Sequence, residues 1–153
     1  MEITTPMNIN SNRFHLAIPA GDLKTAIDFY VNVLGCKKGN SEFKYPDAWC
    51  DINLWGNELT LHASDPEEQI KAERHNVDMG NVTVPHFGVH ISQEDFEKLK
   101  ERIAEHKIEY IDPPYVRFAG TEYEQETMFL ADPNGNALEI KTMKNPEALW
   151  KKN

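Results

Sequence analysis

Two histidines and a glutamate interrupt apolar runs of this chain. His15 stands in Phe14-His15-Leu16-Ala17-Ile18, His86 in His86-Phe87-Gly88-Val89, and Glu139 in Ala137-Leu138-Glu139-Ile140-Lys141. Each run has the short apolar character of a strand. Two imidazoles and one carboxylate from separate strands form the donor set of a divalent cation that keeps open coordination positions. Open positions serve catalysis more often than structure. Taken singly, each residue reads as a polar side chain on the wet face of a half-buried sheet. Their matched contexts make a metal site the better reading.

The elements that must position them form two similar halves. A strand over 13–19 leads into a helix with Asp22 as N-cap, apolar residues Leu23, Ala26, Ile27, Tyr30, Val33 and Leu34, and Gly35 just past its end. Strands follow over 37–43, 48–55 and 58–64, with Gly56-Asn57 as a turn. The second half starts with a strand over 85–91. Ser92-Gln93-Glu94-Asp95 resembles a capping box, and Phe96, Leu99 and Ile103 mark the buried stripe of a second helix. Strands are expected near 108–111, 124–131 and 137–142, the last two joined by Asp132-Pro133-Asn134-Gly135. The order strand, helix, three strands thus occurs twice. One domain over 13–142 is expected, with modules 13–64 and 85–142, a polar linker 65–84, an N-terminal extension 1–12 and a tail 143–153. The tail's Leu149 and Trp150 have either this body or a partner chain to pack on.

Side chains alternate across a strand. Phe14, Leu16 and Ile18 therefore oppose His15 and Ala17. Phe87, Val89 and Ile91 oppose His86, Gly88 and His90, and Leu138 and Ile140 oppose Ala137, Glu139 and Lys141. In 59–64, His62 joins Thr60 and Ser64 on the polar face. One concave surface presenting His15, His62, His86 and Glu139 is the expectation, with His62 as an optional fourth ligand or catalytic group beside Glu139.

The 153 residues carry a net charge of -9, which argues against nucleic acid and anionic membrane surfaces as partners. Cys36 and Cys50 form no paired framework, no apolar run is long enough for a membrane span, and the N-terminus has no apolar leader. A cytoplasmic protein acting on a small molecule is expected.

At these residues the chain resembles the vicinal oxygen chelate superfamily, which includes glyoxalase I, extradiol dioxygenases and bleomycin-binding proteins. The resemblance rests on Phe14-His15-Leu16-Ala17-Ile18-Pro19, on Asp22-Leu23 through Phe29-Tyr30 to Val33-Leu34-Gly35, on Pro85-His86-Phe87-Gly88-Val89, and on Phe129 through Asp132-Pro133-Asn134-Gly135-Asn136 to Glu139. It implies an α+β fold of two βαβββ modules, curved into an open, barrel-like mixed sheet around a metal cleft. By the same resemblance His15, His86 and Glu139 bind one divalent metal ion. Fe2+ is favoured, with Ni2+, Zn2+, Co2+ or Mn2+ as alternatives, and homodimers are common. Glyoxalase I has a glutamate on its fourth strand that also moves a proton, where this reading places His62.

The resemblance implies bidentate chelation of two adjacent substrate oxygens. An extradiol-type dioxygenase is the first expectation. A glyoxalase-like lyase or isomerase and a non-catalytic, bleomycin-resistance-like binding protein are the alternatives. Substrate contacts are expected from Tyr115, Arg117, Tyr123, Gln125 and His90. Arg117 either grips a carboxylate with its fork or pairs with Glu122 or Glu124 on a solvated hairpin.

Overall fold

A computed structural model describes residue 7 and residues 12–77 and 80–151. Most of the 1–12 extension therefore lies outside the described residues. The first module runs β1 (His15–Pro19), α1 (Leu23–Asp28), β2 (Lys37–Glu42), β3 (Trp49–Leu54) and β4 (Asn57–His62). Its sheet has the order β1-β4-β3-β2, with β1 parallel to β4 and the other pairs antiparallel. The 65–84 segment is more than a linker. It contains a hairpin of β5 (Glu73–Val77) and β6 (Gly80–Val84). The second module follows with α2 (Gln93–Glu105), β7 (Tyr110–Arg117), β8 (Gln125–Ala131) and β9 (Ala137–Met143), in sheet order β7-β8-β9.

The expected strand over 85–91 is only partly regular. Phe87 and His90 bridge in parallel to Leu138 and Lys141 of β9. Four backbone bonds complete the pairing: Phe87 N to Ala137 O, Glu139 N to Phe87 O, Lys141 N to Val89 O, and Ile91 N to Lys141 O. Gly88 makes this close approach feasible, because a Cβ there would stand 1.5 Å from the Glu139 carbonyl oxygen. So the edge of the second sheet is the segment that carries His86.

The helices bury the residues their spacing names, with one difference. Asp22 caps α1 by accepting from Thr25 N, and Gly35 turns away at φ +78°. Between them the helix widens into a π turn over Phe29–Val33, with Leu34 N donating to Phe29 O. The wider turn rotates the stripe, so Phe29 is buried while Ile27 is only partly covered. Ser92 caps α2, whose Phe96, Leu99 and Ile103 are buried. The α2 stripe, Leu59 and Leu61 of β4, Cys50 and Ile52 of β3, and Met128, Leu130, Leu138 and Ile140 of the second sheet share one core. Phe14 shares a face with Leu16 and Ile18 but is not buried with Ile18. It is 64% exposed and lines a groove between the modules with Leu16, Ile70 and Phe87. In the tail, Trp150 is 84% exposed and Leu149 40% exposed. Both cysteines are free and buried. Among the described residues no helix is long and apolar enough to cross a membrane.

A polar hub locks the modules together. Asp132 is buried, and its Oδ1 accepts from Asn134 N and Asn136 N. Its Oδ2 accepts from the Tyr30 hydroxyl at 2.8 Å and from Asn136 Nδ2. The side-chain amides of Asn134 and Asn136 both donate to Pro19 O at the end of β1. The turn written as Asp132-Pro133-Asn134-Gly135 thereby anchors the first module's leading strand.

Candidate metal centre

The polar faces of the two sheets each carry one nitrogen–oxygen pair. In the second module, His86 Nε2 lies 3.2 Å from Glu139 Oε1. Three donors surround the buried carboxylate: His86, the Thr127 hydroxyl at 2.6 Å, and Lys141 Nζ at 3.5 Å. Burial alone would raise the Glu139 pKa, but these donors outweigh it and bring the carboxyl down to about 2. The bond with Glu139 in turn raises the His86 pKa, against the opposing effect of burial. His86 also packs edge-on against Phe129, at 5.2 Å between ring centroids.

The 73–84 hairpin sets the His86 ring. Its Nδ1–H donates to Thr83 O at 2.6 Å, which leaves Nε2 turned toward Glu139. Thr83 is itself held. Arg74 forks onto both carboxylate oxygens of Asp112 on β7, at 2.9 and 3.1 Å, and donates to Thr83 Oγ1 and Asn81 O. Neither Arg74 nor Asp112 stood out in the sequence, since an arginine and an aspartate 38 residues apart announce no pairing.

In the first module His15 pairs with a residue the sequence reading passed over. Its Nδ1 lies 2.6 Å from Oε1 of Glu58. The β1–β4 register sets His15 opposite Glu58, Ala17 opposite Thr60 and Pro19 opposite His62. All three β4 residues share the polar face, as parity requires. The residue beside His15 is therefore Glu58, whereas His62 sits four residues along, about 13 Å at strand rise. The available signal was the alternation Glu58, Thr60, His62, which names the face but leaves the partner open.

His15 does not reach the other pair in this chain. Among the described residues, no three metal-ligating side chains cluster. The donors fit a divalent cation two at a time, as half-sites of one imidazole and one carboxylate each. The remaining expected residues divide as follows. Tyr115 opposes Thr127 and Arg117 opposes Gln125, so all four share the face of Glu139 and Lys141. Burial raises the Tyr115 phenol. His90 is bridged to Lys141 and is solvent-exposed; partial burial, then Lys141, lowers its pKa. Tyr123 lies in the loop before β8, outside the sheet.

A family model described as Glyoxalase/Bleomycin resistance protein/Dioxygenase superfamily matches residues 13–140. The chain belongs to this superfamily. A glyoxalase/bleomycin resistance protein/dioxygenase from Alicyclobacillus acidocaldarius is 33% identical, with a TM-score of 0.71 over 94% of this chain and 100% of that one. The lactoylglutathione lyase of Agrobacterium tumefaciens shares the fold at 22% identity and a TM-score of 0.61, over 95% of this chain and 100% of that one. So does the fosfomycin resistance protein FosX of Listeria monocytogenes, at 16% identity and 0.63, over 94% of this chain and 100% of that one. A mutant of FosX is known with manganese(II) and 1S,2S-dihydroxypropylphosphonic acid. No curated protein matches the chain. The open, mixed α+β architecture agrees with the superfamily fold.

Proposed function

We propose that this member of the glyoxalase/dioxygenase superfamily is a metal-dependent enzyme of the lyase or isomerase type, which moves a proton beside a chelated carbonyl of a small oxygenated substrate. The observation that carries the reading is the His15–Glu58 pair, 2.6 Å apart. It supplies a second nitrogen–oxygen half-site equivalent to His86–Glu139. Two half-sites that do not meet within one chain complete each other across a homodimer, with His15 and Glu58 from one copy and His86 and Glu139 from the other.

A divalent cation bound there would act as a Lewis acid on two vicinal oxygens. Glu139 is buried and keeps the Thr127 hydroxyl and Lys141 Nζ as donors when His86 Nε2 gives up its proton to ligate, so it serves as a fixed ligand rather than a proton carrier. Glu58 is about half exposed, at 52% of its side chain, and can both approach the ion and accept a proton from the substrate. Tyr115 and Thr127 line the same face and orient what lies on it. His62 stands apart from this set. The extradiol dioxygenase expectation assumed three ligands and more open positions on iron. Glu58 as a fourth donor favours proton transfer over dioxygen chemistry.

The test is elemental analysis and solution mass of anaerobically purified wild type, Glu58→Gln and His62→Ala, with deuterium exchange into hydroxyacetone as the activity readout. A dimer with one non-redox metal per site, metal weakened and exchange lost in Glu58→Gln, and both kept in His62→Ala is the expected result. Iron retained in Glu58→Gln restores the dioxygenase reading. A protein that takes up no metal even on reconstitution is a binding protein instead.

A further inference from the structure

We propose that Arg117 and Gln125 form a recognition subsite for a carboxylate that carries an N–H or O–H donor on its neighbouring carbon, which makes the substrate a small hydroxy or amino acid derivative. The inference rests on the metal reading only in calling that acid the far end of a chelated substrate. Arg117 closes β7 and faces Gln125, the first residue of β8. Lateral partners share a face in an antiparallel pair, so both project from the face that bears Thr127, Lys141 and Glu139.

The two side chains contain the buried polar atoms that lack a partner among the described residues, Arg117 Nε and Gln125 Oε1. Buried donors and acceptors are seldom left unpaired, and an unpaired pair on the face of a candidate site calls for an external partner. The bland alternative for Arg117 was an ion pair along its own hairpin. The structure spends those acids elsewhere. Glu122 pairs with Lys151 at 2.9 Å. Glu124 accepts from Gly120 N and lies 3.7 Å from Lys144. Glu126 pairs with Lys100 at 2.7 Å. Arg117 instead stacks on the Phe118 ring, 4.9 Å from its centroid, and has no carboxylate partner among the described residues.

The chemistry of the two orphaned atoms decides the ligand class. A guanidinium fork binds a planar carboxylate through paired N–H groups. Gln125 Nε2 donates to Tyr123 O, which fixes the amide and leaves Oε1 as an acceptor. That oxygen repels a bare anion and calls for a donor, so the group between the two residues needs both an acceptor and a donor. Its distance from the metal half-site is set by the pleat. Gln125 is one strand repeat, about 7 Å, from Thr127, whose hydroxyl touches Glu139. A substrate of modest length spans both.

The test follows the Nε–Hε signal of Arg117 and the side-chain amide of Gln125 by 15N NMR, during titration with lactate and with propanoate. Metal content is measured on the same samples. Lactate is expected to shift both signals saturably. Propanoate, which lacks the donor, is expected to bind about tenfold more weakly and to leave the Gln125 amide in place, one hydrogen bond being worth about that factor. Gln125→Met removes the preference, and Arg117→Gln removes the response while metal uptake stays unchanged. An Arg117 signal unmoved by lactate overturns the subsite, whether or not metal is bound. Shifts in a protein that takes up no metal leave the subsite standing and remove the metal reading.

Discussion

Substitution at Asp132 separates a turn signal from a structural hub. Its carboxylate accepts four hydrogen bonds, from Tyr30 Oη, Asn134 N, Asn136 N and Asn136 Nδ2, all between 2.8 and 2.9 Å. Burial raises its pKa despite those donors. Asp132→Ala strands the Tyr30 hydroxyl and the backbone amides of Asn134 and Asn136 in a buried place, while the Asn136 side-chain amide keeps Pro19 O. At about 1–3 kcal/mol for each stranded group, with part of the loss recovered by water, the cost is about 4 kcal/mol. Asp132→Asn keeps Oδ1 for the backbone amides and lets the Tyr30 hydroxyl turn round to accept. Only the Asn136 amide meets an opposing donor, and that amide still reaches Pro19 O, so the cost is about 1–2 kcal/mol. Tyr30→Phe removes one donor and leaves three, at about 1 kcal/mol. Urea unfolding at fixed protein concentration reads these values. With a slope of about 2 kcal/mol per molar, Asp132→Ala lowers the midpoint by about 2 M. The reasoning is refuted if Asp132→Ala stays within about 0.5 M of wild type, or if Asp132→Asn costs more than Asp132→Ala.

Two further outcomes follow from the site. Arg74→Met frees Asp112 and Thr83 and lets the 73–84 hairpin drift from His86. The expected result is about tenfold weaker zinc binding at the His86–Glu139 half-site by competition titration, with a stability loss of only about 1 kcal/mol because the pair is partly exposed. Unchanged zinc affinity would show that Thr83 O holds the ring without the clasp. In metal-free protein, the depressed Glu139 pKa gives stability that is complete above pH 4.5 and is lost as pH falls toward about 2, at most about 3 kcal/mol. The raised His86 pKa gives stability that is complete below pH 6.5 and is lost as pH rises through the folded value. Wild type should therefore exceed His86→Gln most between pH 4.5 and 6.5 in thermal melts. A difference that is flat across pH 2–9 would contradict the pairing.

Much of the architecture is written in local pattern. The caps at Asp22 and Ser92, the α2 stripe Phe96, Leu99 and Ile103, and the parity that hides Leu138 and Ile140 while presenting Glu139 all follow from period and turn chemistry. The π turn at Phe29–Val33 lay beyond that pattern, because helix periodicity assumes a constant pitch. The 73–84 hairpin hid in a polar stretch whose order comes from Arg74, Asp112 and the His86 ring rather than from its own apolar alternation.

By itself the sequence determined which residues share a face, because side-chain direction in a strand depends only on parity. It named His15, His86 and Glu139 as the chemistry-bearing residues of those faces. Only the tertiary structure decided partnership along a face. Parallel β1–β4 pairing joins residues 43 apart, and sliding it by two or by four positions preserves every face while exchanging Thr60 or His62, respectively, for Glu58 beside His15. The packing of the whole sheet selects one register, and that choice placed a carboxylate beside His15. Among the described residues, the same packing left Arg117 without an acid and kept the His15–Glu58 and His86–Glu139 pairs apart.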